Sequence, residues 1–478
     1  MNVAITPSQR HLFPALLASL LLTACAVGPT YAPPTATPVT AWQAPLPHNG
    51  DTASIATWWS SWNDMTLQGF IDAAQASNPT LTQAATRIAQ ARAGLTIAGS
   101  SAMPNVSATA TANRGNSASG FGLPGVTTSV STTLQAAWEL DLFGANRRTR
   151  EAADARFTAR NLDWHQARVS LAAEVASAYV NLRVNEALAT GYERDAASRK
   201  ETARLTGLKT NAGFEAPANA ALANASASEA SARLTAQRAE VDLGIKALVA
   251  LTGLREDSVR MALATGSASL PSPANLAVPS VPANVLAQRP DLAAAERELA
   301  ALTAEIGAAE ADRYPRISLS GSVGYSVSRL AGVTGDSTTW GFGPSLTVPL
   351  FDAGRRVANV DLAKARYAES LAGYKAVAIR AVREVEEALT QLQSAQRRAS
   401  DVQASLAGYQ AFEKAAQARL SAGAGSVLEL QEARRAVLAS EVAVLALQRE
   451  RLHAWISLYR AVGGGWDQGQ TMVSEKTQ

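Results

Sequence analysis

Side chains able to do acid, base, nucleophilic or metal chemistry are few in this 478-residue chain, and their spacing does not bring them together. The four histidines, His11, His48, His165 and His453, lie far apart, and there is one cysteine, so the clustered ligands of a zinc or haem site are missing. Paired carboxylates such as Glu296 with Glu298, or Glu386 with Glu387, fall inside helical runs, where solvated faces or inter-helix ion pairs account for them. No glycine-rich phosphate loop follows a strand, no histidine pair has zinc spacing, and no serine stands in a nucleophile elbow. These absences argue against an enzyme. With 43 Lys and Arg against 40 Asp and Glu the net charge is +3, which gives no electrostatic footprint for nucleic acid. At 47% hydrophobic residues the chain is too apolar for disorder, and its 17% charged residues fall below the roughly 25% of an average soluble domain.

The single cysteine does have a chemistry. An apolar run from Leu12 to Leu22 has the length of a secretory signal core and is too short to span a bilayer. It ends in Leu22 Thr23 Ala24 Cys25, which resembles the lipobox of bacterial lipoproteins, where cleavage leaves an acylated cysteine as the first mature residue. Acyl chains contribute about 0.8 kcal/mol per buried CH₂, so a multiply acylated Cys25 is a stable tether. The stretch that follows, to Pro47, is rich in Pro, Thr and Ala, as expected of a linker leaving a membrane surface.

The rest of the chain repeats itself. Asn78 Pro79 Thr80 Leu81 aligns with Arg289 Pro290 Asp291 Leu292, and Met103 Pro104 with Tyr314 Pro315. Leu142 Phe143 aligns with Leu350 Phe351, Asp154 Ala155 Arg156 with Lys364 Ala365 Arg366, and Leu251 Thr252 Gly253 with Ala461 Val462 Gly463. Matches in order at a steady offset of about two hundred residues mark a tandem duplication of a large unit, not a short solenoid repeat. The expected division is a signal peptide over 1–24, an anchored linker and equatorial segment over 25–63, repeats over 64–266 and 284–466, a Ser- and Pro-rich linker over 267–283, and a tail over 467–478. Each repeat reads as helix, two strands and two very long helices. The proline-free run from Ala145 to Asn211 is on the order of 100 Å long as a helix, more than an ordinary globular core needs. In the second copy Ala378, Val382, Val385, Leu389, Leu392 and Ala399 keep the three-and-four spacing of a coiled coil.

The strands say where the helices must hang. Ile317, Leu319, Gly321, Val323, Tyr325 and Val327 alternate with Ser318, Ser320, Ser322, Gly324, Ser326 and Ser328. Trp340, Phe342, Pro344, Leu346, Val348 and Leu350 repeat the pattern, as do Val130, Thr132, Leu134, Ala136, Trp138 and Leu140, and Val106 to Asn113 more weakly. Four strands of about ten residues, apolar on one face and small and polar on the other, fit a transmembrane β-barrel with lipid outside and a lumen inside; half of a soluble β-sandwich alternates similarly. Trp138, Tyr325 and Trp340 are candidates for its aromatic girdles. Four strands cannot close a barrel in lipid, so the chain must oligomerise. Two copies give eight strands and a filled interior, whereas three give twelve and room for a lumen. The expected fold class is therefore mixed α and β: a trimeric 12-stranded transmembrane barrel, four strands per chain, continuous with a long α-helical barrel.

Taken together, these residues resemble the TolC-like outer membrane efflux proteins, in the lipoprotein branch that serves drug-efflux pumps. The resemblance rests on Cys25 Ala26 Val27 Gly28 Pro29 Thr30 Tyr31, Gln288 Arg289 Pro290 Asp291 Leu292, Tyr314 Pro315 Arg316 Ile317, Pro349 Leu350 Phe351 Asp352 Ala353 Gly354, and Leu458 Tyr459 Arg460 Ala461 Val462 Gly463 Gly464 Gly465 Trp466. It implies a homotrimer in the bacterial outer membrane, lipid-anchored and extending into the periplasm. It also implies a periplasmic adaptor and an inner-membrane proton-driven transporter of the RND type as partners, and no cofactor beyond the lipid. The far-tip turns would then contain Gly213 and Phe214 in the first repeat and Gly423, Ala424 and Gly425 in the second, where such proteins close the channel and meet the adaptor. Just beyond stand Glu429 and Glu432, at the position of the family's acidic rings; three copies of each would place six carboxylates around a narrow aperture, favouring cations. The same two glutamates also suit an ordinary solvated helix start.

The chain departs from that family at the lock. Where some relatives carry Tyr before the tip glycine and Arg after it, Leu420 and Gly425 stand here, and Asn219 occupies the place of an acidic partner. Closure is expected to rely on packing through Leu420 and hydrogen bonds from Asn219. Two rival readings remain at this level: a lipid-anchored coiled-coil fibre or adhesin, which has no use for lipid-length amphipathic strands, and a type I protein-secretion duct, from which the lipobox and the Gly-Gly-Gly-Trp ending lean away by resemblance.

Overall fold

A computed structural model of the chain describes residues 27–34, 43, 55–118, 124–265, 270–271, 288–330 and 333–465. Cys25, the signal sequence, most of the 267–283 linker and Trp466 lie outside the described residues. A 3-10 turn over Ile55–Trp62 precedes α1 (Met65–Ser77) and α2 (Pro79–Ser100). Strands β1 (Asn105–Ala118) and β2 (Pro124–Leu140) follow, then α3 (Ala145–Asn211), α4 (Pro217–Thr252) and α5 (Glu256–Thr265). The second copy supplies α6 (Pro290–Ala311), β3 (Arg316–Leu330), β4 (Val333–Thr347), α7 (Arg355–Ser421) and α8 (Val427–Ala461).

The sequence matches between the copies turn out to be the punctuation of the fold. Pro79 and Pro290 both open a helix, where the missing N–H costs nothing. Gly144 and Gly354 take positive φ just before α3 and α7. Asn78 Nδ2 donates to the Leu251 carbonyl at 2.9 Å, and its counterpart Arg289 donates from Nη1 to the Ala461 carbonyl at 2.9 Å. In each copy a polar side chain just before the helix that leads into the strands, α2 or α6, thus binds a carbonyl at the C-terminal end of α4 or α8. Arg289 is buried and charge-balanced by Asp291, bidentate through the Nε and Nη2 edge of the guanidinium, and by Glu384 on Nη1 at 2.8 Å, which explains the Gln288 Arg289 Pro290 Asp291 sequence. Gly463 (φ 86°) closes the motif, because a Cβ there would lie 2.1 Å from the Gln288 carbonyl oxygen.

The helices depart from expectation in one respect. In each repeat only one is very long: α3 and α7 have 67 residues, while α4 and α8 have 36 and 35. Gly253 ends α4 in the left-handed conformation, its N–H bonded to the Val249 carbonyl, and the equivalent Gly463 follows α8. The strands are also longer than ten residues, at 14, 17, 15 and 15, because polar rows extend each beyond its apolar part.

By contacts the chain forms two compact units. The first comprises Met1–Thr35, Thr86–Asn161 and Ala294–Lys375, and the second Ala36–Ala85, Leu162–Ala293 and Ala376–Gln478. Each repeat therefore contributes to both. The first unit holds the antiparallel sheet, in the order β1-β2-β3-β4. The second holds a core in which Trp58 stacks on Tyr459 and meets Trp62 edge-on, with Phe70, Tyr179, Leu182, Leu248 and Leu389 fully buried around them. Val385, Leu389 and Leu392 of the coiled-coil series are buried there, while Ala378, Val382 and Ala399 are half-buried.

Candidate pore elements: strand faces and helix-pair tips

In the first unit the register settles which residues share a face, since directly opposed residues of antiparallel strands point the same way. One face carries Val106, Ala108, Ala110 and Ala112 of β1, opposite Ala136, Leu134, Thr132 and Val130 of β2. Those pair with Gly321, Val323, Tyr325 and Val327 of β3, and Ile317, Leu319 and Val323 in turn face Leu346, Pro344 and Trp340 of β4. The large side chains here are exposed: Trp340 by 73%, Phe342 by 82% and Leu346 by 63%. The opposite face presents Ser107, Thr109, Thr111, Ser129, Ser131, Thr133, Ser318, Ser320, Ser322, Ser326, Ser337, Thr339 and Ser345. Its hydroxyls bond across strands, Thr111 to Ser131 at 2.7 Å and Ser326 to Ser337 at 2.8 Å. Gly324 lies between Thr133 and Thr339 with no room for a Cβ, which would be 2.9 Å from the Thr339 hydroxyl. Among the described strand residues, the charges on this face are Glu139 and Arg316, both at the helix-side end.

The three aromatic positions lie at different heights. Trp138 stands near the helix-side end of β2, its indole N–H donating to the Ala102 carbonyl at 3.0 Å. Trp340 is the last apolar residue on its face of β4 before Thr338 and Asp336, and stacks on Phe342. Tyr325 donates to Asp336 at 3.4 Å, towards the hairpin end. Each aromatic keeps a polar neighbour, as rings at a membrane–water boundary do.

In the second unit, the two tips have one geometry. Gly213 (φ 74°) and Gly423 (φ 75°) terminate α3 and α7. Phe214 N donates to Lys209 O at 2.8 Å and Ala424 N to Arg419 O at 2.9 Å, the six-to-one bond of a Schellman end. Phe214 projects into solvent, 84% exposed. Pro217 opens α4, and Ser426 caps α8 by accepting the Glu429 N–H at 3.1 Å. Gly425 is tight rather than strained, since a Cβ there would lie 3.0 Å from Leu420 N.

The two glutamates expected to act together differ in their surroundings. Glu429 is half-buried and accepts from Arg419 Nη1 at 2.8 Å, so its charge is matched inside the tip. Glu432 is exposed, with no ion pair among the described residues. Leu420 packs on Ala416, Leu430 and Ala433 of its own helix pair, and Asn219 donates to the neighbouring Glu215. Neither side chain reaches across to the other tip. Unforeseen from sequence is a buried polar layer further along the helices. Arg199 is wholly buried, clasped by Asp195 at 2.8 and 2.9 Å, and donates to Ser226 at 2.6 Å and Gln431 at 3.3 Å. Beside it Arg434 bonds Thr202 and Gln417, and burial pulls its guanidinium below the ordinary value. The spacing of Asp195 and Arg199 was visible as a helix pair; their partner Gln431, 232 residues on, was not.

A family model for outer membrane efflux proteins matches residues 70–254 and again 281–464, one match per repeat. The chain is 32% identical over 466 residues to the outer membrane protein OprJ of Pseudomonas aeruginosa, covering 96% of this chain and 97% of that one. It is 30% identical over 466 residues to the cation efflux system protein CusC of Escherichia coli, covering 94% and 98%. Among solved structures, the CmeC outer membrane channel of Campylobacter jejuni superimposes with a TM-score of 0.86 at 25% identity, over 95% of this chain and 98% of that one. With its duplicated repeats, four-stranded sheet and long helices, the chain belongs to the outer membrane efflux protein family, the trimeric channels in which each protomer gives four strands to a 12-stranded barrel.

Proposed function

We propose that this protein is the exit duct of a tripartite efflux system for varied small molecules. It works as a passive conduit with a periplasmic adaptor and an inner-membrane RND-type transporter. The carrying observation is the hydroxyl-lined, nearly uncharged face of the sheet opposite one that is mainly apolar along its middle rows. Such a lining solvates many solutes and holds none tightly, so direction comes from the pump at its base. Transport of this kind needs no catalytic residue.

Five further assignments belong to the same reading. Cys25 carries the acyl chains. Gly213, Phe214, Gly423, Ala424 and Gly425 are the adaptor-contacting tips, with exposed Phe214 as an apolar knob. Glu432 is the principal gate carboxylate, with Glu429, Leu420 and Asn219 shaping its support. Trp138, Tyr325 and Trp340 form the girdles, and the chain divides at 24, 63, 266, 283 and 466 as the sequence suggested. Deleting the gene tests the function: accumulation of an efflux-reporting dye is expected to rise several-fold and to return on complementation. Unchanged accumulation across a broad dye and antibiotic panel would overturn it.

A further inference from the structure

On the apolar face of the sheet, the charged side chains among the described strand residues are Arg114, Arg329 and Asp336. The two arginines share one row. Arg114 of β1 opposes Thr128 of β2, which opposes Arg329 of β3, which opposes Thr334 of β4. Both arginines are exposed and neither has an ion pair among the described residues. The nearby Asp336, one row inward, instead accepts the Tyr325 hydroxyl. Strand spacing puts the two arginine Cα atoms about 10 Å apart, within reach of one bulky headgroup.

Their height is as informative as their pairing. The row lies at the hairpin ends of the strands, away from the ends that lead into α2, α3, α6 and α7. On β3 the apolar face runs from Ile317 to Val327, about 34 Å along the strand and about 25 Å along the membrane normal at the usual tilt. Arg329 is the next residue on that face, so both arginines stand where the hydrocarbon ends on the cell-surface side. An arginine is costly at mid-bilayer but close to free at the rim. A guanidinium there, beside a threonine hydroxyl, matches phosphate by bidentate hydrogen bonds.

We propose that Arg114 and Arg329, with Thr128 and Thr334, form a binding row for the phosphorylated glycolipid of the outer leaflet, lipopolysaccharide. The inference rests on the sheet spanning the outer membrane with its hairpins at the cell surface. The fold supplies three such rows per trimer.

Native mass spectrometry of the detergent-purified trimer provides the test, with deep-rough lipopolysaccharide, its dephosphorylated form, phosphatidylglycerol and inorganic phosphate as probes. Wild type is expected to retain the phosphorylated glycolipid in preference to all three others. An Arg114→Gln, Arg329→Gln variant is expected to lose about tenfold or more in affinity, with the single variants between. Equal retention by wild type and double variant would overturn the proposal, as would a wild type that does not distinguish the phosphorylated from the dephosphorylated glycolipid. Preference for phosphatidylglycerol or free phosphate would also overturn it. Should the variant fail to form trimers, the wild-type comparison decides alone. Planar-bilayer insertion separates the underlying reading: wild type that inserts yet shows no phosphate preference refutes the row only, whereas failure to insert refutes the membrane-spanning sheet.

Discussion

Glu429 and Glu432 stand three residues apart on one helix, yet the arginine that matches the first leaves the second alone, and this division predicts different phenotypes. Glu432→Gln is expected to lower cation preference in single-channel recordings with little change in thermal stability. Glu429→Gln should leave Arg419 unmatched at the tip, loosening the turn by up to about 1 kcal/mol, as expected of a partly exposed pair. Equal loss of selectivity in the two variants would refute the division. Gly463 offers a second test at this scale. Its positive φ and the 2.1 Å approach of an added Cβ to the Gln288 carbonyl forbid any side chain. Gly463→Ala is expected to lower the melting temperature of the purified protein clearly, whereas Gly373→Ala, in an open helical site, should not. The helix-ending tip glycines were legible in the sequence through spacing and resemblance. The Arg419 contact was hidden, because a pairing across a turn depends on which way each helix faces.

Among the elements, α3, α4 and α8 are held in register by the buried layer of Asp195, Arg199, Ser226 and Gln431 as well as by apolar packing. Removing one partner of a buried ion pair strands a charge. Asp195→Ala is therefore expected to destabilise the protein by about 3–5 kcal/mol in denaturant titrations. An Asp195→Ala, Arg199→Met variant should recover most of that loss; no recovery would show that the layer is not electrostatically coupled. The bounds of α3 could be read to the residue, since an uninterrupted proline-free run is a local signal, whereas strict alternation located the apolar part of each strand but not its polar extension. The shorter lengths of α4 and α8 could not, because each ends where a glycine meets a distant segment of its own repeat: Gly253 beside Ser77, and Gly463 beside Gln288. Part of the duplication was legible because two of its matches, Asn78 with Arg289 and Gly253 with Gly463, fall at or beside those contact points.

At the scale of the whole molecule, a four-stranded sheet with edges at β1 and β4 is incomplete in lipid, and closure by three copies follows from the fold it shares with its family. What sequence alone left open between a fibre and a duct is resolved by the family match, and register agrees with it: most of the small hydroxyls share one face and the exposed aromatics the other. The central claim is that the chain forms an outer membrane efflux channel, and the proposal tied to it is that Glu429 and Glu432 set its cation preference. The most direct measurement is single-channel conductance of the purified trimer in planar bilayers, beside an Glu429→Ala, Glu432→Ala variant. The account predicts insertion, a small cation-preferring conductance in the native protein, and loss of that preference in the variant. Trimers that insert but show no conductance in either protein, or an unaltered preference in the variant, would contradict it.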